Sequence, residues 1–563
     1  VQKEVEQMTE PTAGEPRGAA PVMPDAPVRG RAVLESADVG EIQGAFGTIG
    51  QQEEIHRGLR SRALALLAII GPGLIVMVGD NDAGGVSTYV QAGQNYGVSL
   101  LWVLLLLIPV LIVNQEMVVR LGAVSGVGHA KLIVERFGRF WGWFMSGFLL
   151  LQNFLIIVTE FIGVNLALSY FGVSPYVAVP VAAAALIAIT ASGSFRLWER
   201  SMFVFIVGNL LIIPLFFMSH PHGSQIGHHL FVPGIRGGAT SSAVLLIIGI
   251  VGTTVAPWQL FFQQSNIVDK RITPRWINYE RVDTVFGAVV VVLAAGALIC
   301  TAGFALAGTH YFGQFTDAGG VATALNHTIG SVAGAFFAVV LLNASLIGAG
   351  TVTLASSYVV GDVFGARASL HRSFREAKGF YSIFSALILT AAGIVLIPGA
   401  PLGLITLAVQ ALCGILLPLT TMFLLMLSSD REVLGPWTNP PSLQALATVI
   451  VGALVVLSMI LTVTTLFPSV NVSDMAIGGA IALAASLALL GAHALRSRRA
   501  RGAVTVVETR PEVPREQWTM PPAALLTRPT LSAPRRLALA ALGSYMVVAI
   551  ALLFVKTVQL AGG

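Results

Sequence analysis

Long apolar runs broken by short polar connections fill residues 63–495. The runs lie at roughly 63–93, 98–119, 140–169, 174–193, 201–219, 239–264, 282–308, 331–360, 379–398, 402–428, 442–467 and 473–495. Each is close to, or longer than, the roughly 20 residues an α-helix needs to cross a bilayer. A further run over 537–555 is long enough to do the same. The periodicity of strands is missing, so the pattern predicts an all-α polytopic membrane protein.

Two of these runs are interrupted. In the first, Gly79-Asp80-Asn81-Asp82-Ala83-Gly84-Gly85 places two carboxylates, an amide and three glycines inside an apolar span. Small residues weaken a helix there, and a carboxylate at that depth is costly. In the sixth run, Thr253-Thr254-Val255-Ala256-Pro257-Trp258 carries a proline, which cannot donate the helix hydrogen bond and clashes one turn back. Irregular backbone at membrane depth is tolerated where it lines a cavity or is buried in protein. Interrupted helices in corresponding places of two halves mark a transporter's substrate site. Asp82 is the candidate centre. Gly79 and Thr253 are candidate oxygen donors beside the breaks, and Asp80 and Asn81 are expected to line the same vestibule.

Charge changes the picture mainly by fixing topology. Only 11% of the 563 residues are charged and 55% are hydrophobic, against about 25% charged in soluble domains. The basic residues sit in alternate connections: Arg57, Arg60 and Arg62 before the first span, then Arg120 to Arg139, Arg196 and Arg200, Lys270 to Arg281, Arg367 to Lys378, Arg431, and Arg496 to Arg501. The intervening connections carry almost none, Arg236 excepted. Positive connections stay cytoplasmic, which places the N-terminus inside a multi-pass cell-membrane protein. The basic residues therefore report orientation, and no nucleic-acid partner is implied. Residues 1–58, rich in Pro, Gly, Ala and Glu, read as a disordered cytoplasmic tail without a signal peptide. Residues 59–495 form the transmembrane domain of about 12 helices. Residues 496–536 read as a mobile basic cytoplasmic linker near anionic headgroups, and 537–558 as an additional transmembrane helix, with an interfacial helix as the alternative.

Other polar residues inside spans have two readings each. Glu160 is either a protonated packing residue or part of an ion path. Gln410, two turns before Pro418, either reaches a hydrated ion or cross-links helices. Glu116 stands four residues before Arg120, the spacing of a local helix salt bridge. His220, His222, His228 and His229 cluster in one connection, but their spacing matches no particular metal site. Cys300 and Cys413 lie in apolar runs and read as packing residues. No nucleotide loop, metalloprotease helix or nucleophile elbow is present, so an enzyme is not expected and no cofactor is required.

With these residues in view, the chain resembles the Nramp family of divalent-metal transporters. Gly71-Pro72-Gly73, Val78-Gly79, Asp82-Ala83-Gly84-Gly85 and Gln91-Ala92-Gly93 are similar to the family's first-helix pattern, whose core usually reads Asp-Pro-Gly-Asn. Gly252 through Trp258 falls on its sixth-helix pattern, usually ending Met-Pro-His. Gln115-Glu116-Met117 with Leu121-Gly122, and Thr159-Glu160-Phe161 with Gly163, resemble the second and third helices. The resemblance covers roughly 63–465. It implies a LeuT-like fold of two five-helix repeats in inverted topology, with helices 1 and 6 broken and additional C-terminal helices, working by alternating access.

The resemblance also gives its departures a meaning. It would put a ligating asparagine at Gly85 and a ligating methionine at Ala256. Thioethers favour softer metals, whereas carboxylate, carbonyl and water suit Mg²⁺, which dehydrates reluctantly. A pocket opened by Gly85 and Ala256 resembles that of the Nramp-related magnesium transporter branch, carrying Mg²⁺ and also Mn²⁺. Trp258 and Ile157 stand where proton-coupled members have titratable groups, so the resemblance implies uptake without proton coupling. Two alternatives are a proton-coupled Mn²⁺ or Fe²⁺ transporter, and a Na⁺-coupled carrier of small solutes on the same scaffold. Divalent ions and the lipid bilayer are the expected partners, with a monomer as the expected state.

Overall fold

The computed structural model describes residues 40–51, 53, 58–398, 402–467, 470–500, 514–526, 529 and 533–562. The tail reading over 1–39 and the basic stretch 501–513 lie outside the described residues.

Every apolar run read from the sequence falls on a helix. The first run is cut into three pieces: α1 (Leu59–Ile69), α2 (Pro72–Gly79) and α3 (Ala83–Tyr96). It is followed by α4 (Leu101–Ser125), the amphipathic α5 (His129–Phe137), α6 (Arg139–Tyr170) and α7 (Pro175–Ala191). Then come α8 (Phe195–Gly208) and α9 (Ile212–Met218), joined end to end by a tight 3-10 turn, and the short α10 (Gly223–Phe231). The sixth run is cut at Val255–Ala256 into α11 (Ser241–Thr254) and α12 (Pro257–Asp269), with Pro257 in the first turn of α12, where its missing N–H does no harm. The remainder is α13 (Ile277–Ala305), α14 (Ala318–Ile329), α15 (Ser331–Phe364), α16 (Lys378–Val395), α17 (Leu402–Ser428), α18 (Arg431–Leu434), α19 (Pro441–Leu466), α20 (Val472–Ala500) and α21 (Ala533–Gly562). Among the described residues nine helices are long and apolar enough to cross a membrane, and up to 11 if each bent pair counts as one span.

The two broken spans are arranged crosswise. α3, the second half of the first span, packs on α11, the first half of the other, and α2 packs on α12. Two chains that exchange halves in this way run antiparallel and bring their breaks to one level. α15 packs along α6 and touches α2, α3 and α12, while α13 lies against α2, α3 and α4. These helices form a wall around the breaks. Close approaches depend on small residues: a Cβ at Gly252 would meet Gly414 N of α17 at 3.0 Å, and one at Gly73 would meet Thr284 N of α13 at 2.8 Å.

Below α2 the wall is sealed by charge. Asp283 of α13 accepts from Gly71 N (3.0 Å), Gly73 N (2.8 Å) and Leu74 N (3.2 Å), so one carboxylate takes the free N–H groups at the start of α2. Lys270, wholly buried at the end of α12, donates to Ile69 O (2.8 Å), Ile70 O (2.9 Å) and Glu199 Oε1 of α8 (2.6 Å). Gly71, at φ +154°, is the hinge between α1 and α2, which meet at 50°. A side chain there would collide with Glu199.

Two departures from the sequence reading follow from such contacts. Residues 42–49, expected to be disordered, form a hairpin of β1 (Ile42–Gly44) and β2 (Gly47–Ile49), with Ile42 opposite Ile49. Ile42 and Ala45 are buried, Ala45 N donates to Glu199, and Arg200 Nε donates to Ala45 O (2.8 Å). Composition argued against order here, but the hairpin borrows its partners from α1 and α8. Likewise, part of the linker expected to be mobile is seated on the bundle. Met520 N donates to Val124 O (3.0 Å), Trp437 Nε1 donates to Arg515 O (2.8 Å), and the Arg515 guanidinium lies 4.0 Å from the centre of the Trp437 ring. Glu116 bonds Arg120 as expected (2.7 Å) and is also gripped by Arg281 (2.5 Å).

Lys270→Met leaves the Glu199 carboxylate buried without its cation, at an expected cost of about 3–5 kcal/mol. Thermal unfolding in detergent should fall sharply for Lys270→Met and recover largely in Glu199→Gln/Lys270→Met. Equal melting of wild type and Lys270→Met would show that the pair does not hold α1 in place.

Candidate functional site: the meeting point of the two helix breaks

Asp82 is the N-cap of α3. Its backbone is extended (φ −69°, ψ −178°) and its Oδ1 accepts from Gly85 N at 2.7 Å. Glu160 reaches across from the middle of α6, and its Oε2 accepts from Ala83 N at 3.0 Å. Both acids thus sit at the positive end of a helix, where N–H groups and the helix dipole favour negative charge. A purely structural account of Asp82 would end with that cap. It does not cover the oxygens left over. Glu160 Oε1, both carboxylate oxygens of Asp80, Thr253 Oγ1 and Gln410 Oε1 are buried with no hydrogen-bond partner. Among the described residues no ion pair reaches Asp82. Acceptors left unpaired in a dry interior are costly, and a cation is the ligand that satisfies several of them together.

Oxygens from both breaks meet beside Gly85. A Cβ added there would lie 2.8 Å from Asp80 O, 3.2 Å from Thr253 Oγ1 and 3.4 Å from Asp82 Oδ1. Three oxygens from the two breaks therefore converge on one point, each with a different chemistry: carbonyl, hydroxyl and carboxylate. Gly84 has the Gln410 amide directly against it, with Asp82 Oδ1 3.3 Å from where its Cβ would be. The residues able to hold a hard cation are Asp82, Thr253, Gln410 and the Asp80 carbonyl. Among the described residues no group of three or more His, Cys, Asp or Glu side chains forms a metal cage. The histidines of the α9–α10 region form no such cage, and Cys300 and Cys413 are buried free thiols, with Gln152 Nε2 donating to Cys413 Sγ at 3.2 Å.

The other sequence candidates divide between the two sides of the break. Gly79 closes α2, with Thr351 Oγ1 3.2 Å and the Trp258 ring 3.4 Å from where a Cβ would stand. Trp258 is fully buried against Phe262, and Ala256 is the buried N-cap of α12. Asn81 differs from expectation. It turns away from the oxygens, donates to Val291 O at 3.2 Å, and lines an apolar recess on the α13 side. The turn of α2 continues through Asp80 and Asn81, with Asn81 N bonded to Val78 O at 3.1 Å, and the chain becomes extended only at Asp82. Asp80 also divides its roles, giving its carbonyl to the site while its carboxylate is buried nearby.

A cavity of about 320 Å³ adjoins the site on the α3 side, lined by Ser87, Thr88, Gln91, Thr159, Thr316, Asp317, Thr406 and Gln410 among others. Sequence reading passed over most of these. Ser87, Thr88 and Gln91 fall at helical spacing on α3, and that polar stripe within an apolar run was the available signal. Tyr89 was also missed; its hydroxyl pairs with Thr254 Oγ1 (2.8 Å) and ties α3 to the end of α11.

The family described as natural resistance-associated macrophage protein-like matches residues 73–464. The chain is 28% identical over 409 residues to the divalent metal cation transporter MntH of Burkholderia ambifaria, covering 69% of this chain and 87% of that one. It is 27% identical over 434 residues to MntH of Bacillus subtilis, covering 73% and 94%. Among solved structures, the manganese transporter of Eremococcus coleocola bound to an aromatic bis-isothiourea compound superposes with a TM-score of 0.60 at 20% identity, over 82% of this chain and 97% of that one. These relatives are named as transporters and not as enzymes. The crosswise pairing of two broken spans is the LeuT-like architecture expected from the sequence, and the chain belongs to the Nramp family.

Proposed function

We propose that this protein is a divalent-metal transporter that admits Mg²⁺, with Mn²⁺ as a second ion, by alternating access and without obligatory proton co-transport, as in the Nramp-related magnesium branch. Divalent-metal transport follows the names of its relatives. The choice of ion rests on one observation: the three atoms nearest the point vacated at Gly85 are all oxygens, from Asp80, Thr253 and Asp82. Alanine at position 256 adds no thioether. Hard oxygen ligands suit Mg²⁺, which keeps several waters when bound. The cavity beside the site, whose lining includes hydroxyls, amides and Asp317, gives a partly hydrated ion room to approach.

Energetics support an uncoupled mode. The membrane field is worth about 2.3 kcal/mol per charge per 100 mV, and a divalent ion gains twice that. Accumulation therefore needs no second ion. Trp258 and Ile157 carry no titratable proton, and one oxygen of Glu160 is committed to Ala83 N. The runner-up is a proton-coupled Mn²⁺ or Fe²⁺ transporter. It draws on the naming of the Eremococcus coleocola protein as a manganese transporter and on the unpaired Glu160 Oε1.

Purified protein in liposomes should take up Mg²⁺ down its gradient, and a pH dye trapped inside should stay constant. Metal-dependent acidification of the lumen would instead establish the proton-coupled reading. Asp82→Ala should abolish uptake with folding retained, and residual transport would show an ion route that avoids this carboxylate. Ala256→Met should raise the preference for Mn²⁺ or Cd²⁺ over Mg²⁺ by about tenfold, equivalent to about 1.4 kcal/mol. It is a cleaner probe than Gly85→Asn, because a Cβ at Gly85 would press on the Asp80 carbonyl. An unmoved selectivity ratio in Ala256→Met would place the filter elsewhere. Gly348→Ala tests the spacing of the two acids: its Cβ would fall 2.5 Å from Glu160 Oε2 and 2.9 Å from Asp82 Cβ. Mg²⁺ uptake should drop about tenfold or more there. Gly350→Ala on the same helix, whose Cβ would come no nearer than 3.4 Å to the flexible Met202 and 3.7 Å to Leu186, should transport normally.

A further inference from the structure

Another cavity, also about 320 Å³, has the opposite chemistry and the opposite exit. Its mouth is formed by Leu210, Ile213 and Leu293, which are 55%, 51% and 67% exposed. They belong to two apolar spans, and in the Phe195–Met218 segment only 22% of the most apolar stretch is buried. A span this apolar and this uncovered faces hydrocarbon. The cavity therefore opens sideways into the bilayer.

Its inner end is the first helix break. Val78 in the last turn of α2, Asn81 in the break and Val86 in the first turn of α3 all line it. Asn81 and Asn209 are the polar residues among the lining, and Asn81 already spends its amide N–H on Val291 O. Asn81 Oδ1 and Asn209 Oδ1 are buried without a hydrogen-bond partner and can hold a water, but the rest of the lining is apolar and offers none of the two to four polar partners that further waters need. An empty recess would forfeit the dispersion contacts of its whole lining.

We propose that an acyl chain of a membrane lipid enters this recess and lies against both halves of the first broken span. The occupant follows from what borders the mouth, which is the hydrocarbon of the bilayer itself. A change in the angle between α2 and α3 must reshape the recess. The chain inside it is thus a wedge at the hinge, reached from the lipid and separate from the ion's path on the other face of the break. This inference does not depend on which ion is carried.

The test uses the full-length protein in liposomes containing phosphatidylcholine with a photoactivatable diazirine near the end of one acyl chain. After irradiation, adducts are mapped by peptide mass spectrometry. Adducts on Val78, Asn81 or Val86 are expected, together with adducts on α13. Adducts confined to Leu210, Ile213 and Leu293 would overturn the proposal, since the chain would then only brush the mouth. Ala294 lines the recess one turn from Val291, and Ala294→Phe should fill it. In that variant the inner adducts should fall at least about fivefold while those at the mouth persist. Undiminished inner labelling in a folded Ala294→Phe protein would equally refute it. If Ala294→Phe does not fold, the wild-type map alone decides.

Discussion

A helix that stops halfway through an apolar bundle leaves N–H and C=O groups that no bulk water can reach, and those groups must be answered by the protein. The architecture here is a set of answers to that demand. Asp82 and Glu160 take N–H groups at the start of α3, and Asp283 takes three at the start of α2. The acids that make the break tolerable also concentrate negative charge at mid-depth. A surplus of unpaired side-chain oxygens accompanies them, on Glu160, Asp80, Thr253 and Gln410. The stability problem and the ion site have one origin.

Much of this is legible in the sequence, for a specific reason. The spans are long and uniform, and glycine, proline and aspartate inside them break a strong local rule, so Asp82, Gly85, Thr253 and Ala256 stand out individually. What escapes sequence reading is chemistry supplied by partners far along the chain. Asp283 looks like the polar end of a span until its oxygens are seen on Gly71, Gly73 and Leu74, more than two hundred positions earlier. Gly348 looks like one more small residue in an apolar helix, yet it leaves room for Glu160 beside Asp82. Asn81 shows the limit at the finest scale. Composition marks the break as polar, but only the backbone course decides which of three adjacent polar residues faces the oxygens and which faces the lipid side.

The two sides of the site are unequal. Towards α3 the wall mixes hydroxyls, amides and Asp317 with apolar side chains such as Ile162, Leu166 and Phe315 around open volume. Towards α1 and α2 the wall is closed by buried, mutually bonded charges and by glycine-mediated contacts with α13. Loose packing and tight packing with ionic bonds respond differently to the same tilt of a helix. The first can yield by small side-chain shifts. The second must part several strong bonds together, which makes its opening cooperative.

The small β-hairpin sits at the centre of that cooperative unit. Glu199 bonds Ala45 and Lys270 at once, and Lys270 also holds the last carbonyls of α1. Gly44 lies directly on the Ala68 carbonyl, so no side chain fits between strand and helix. Release of α1 therefore requires the hairpin to let go in the same event. An eight-residue hairpin thereby links what precedes it in the chain to α1 and α8, so a pull applied upstream bears first on the Glu199–Lys270 bond.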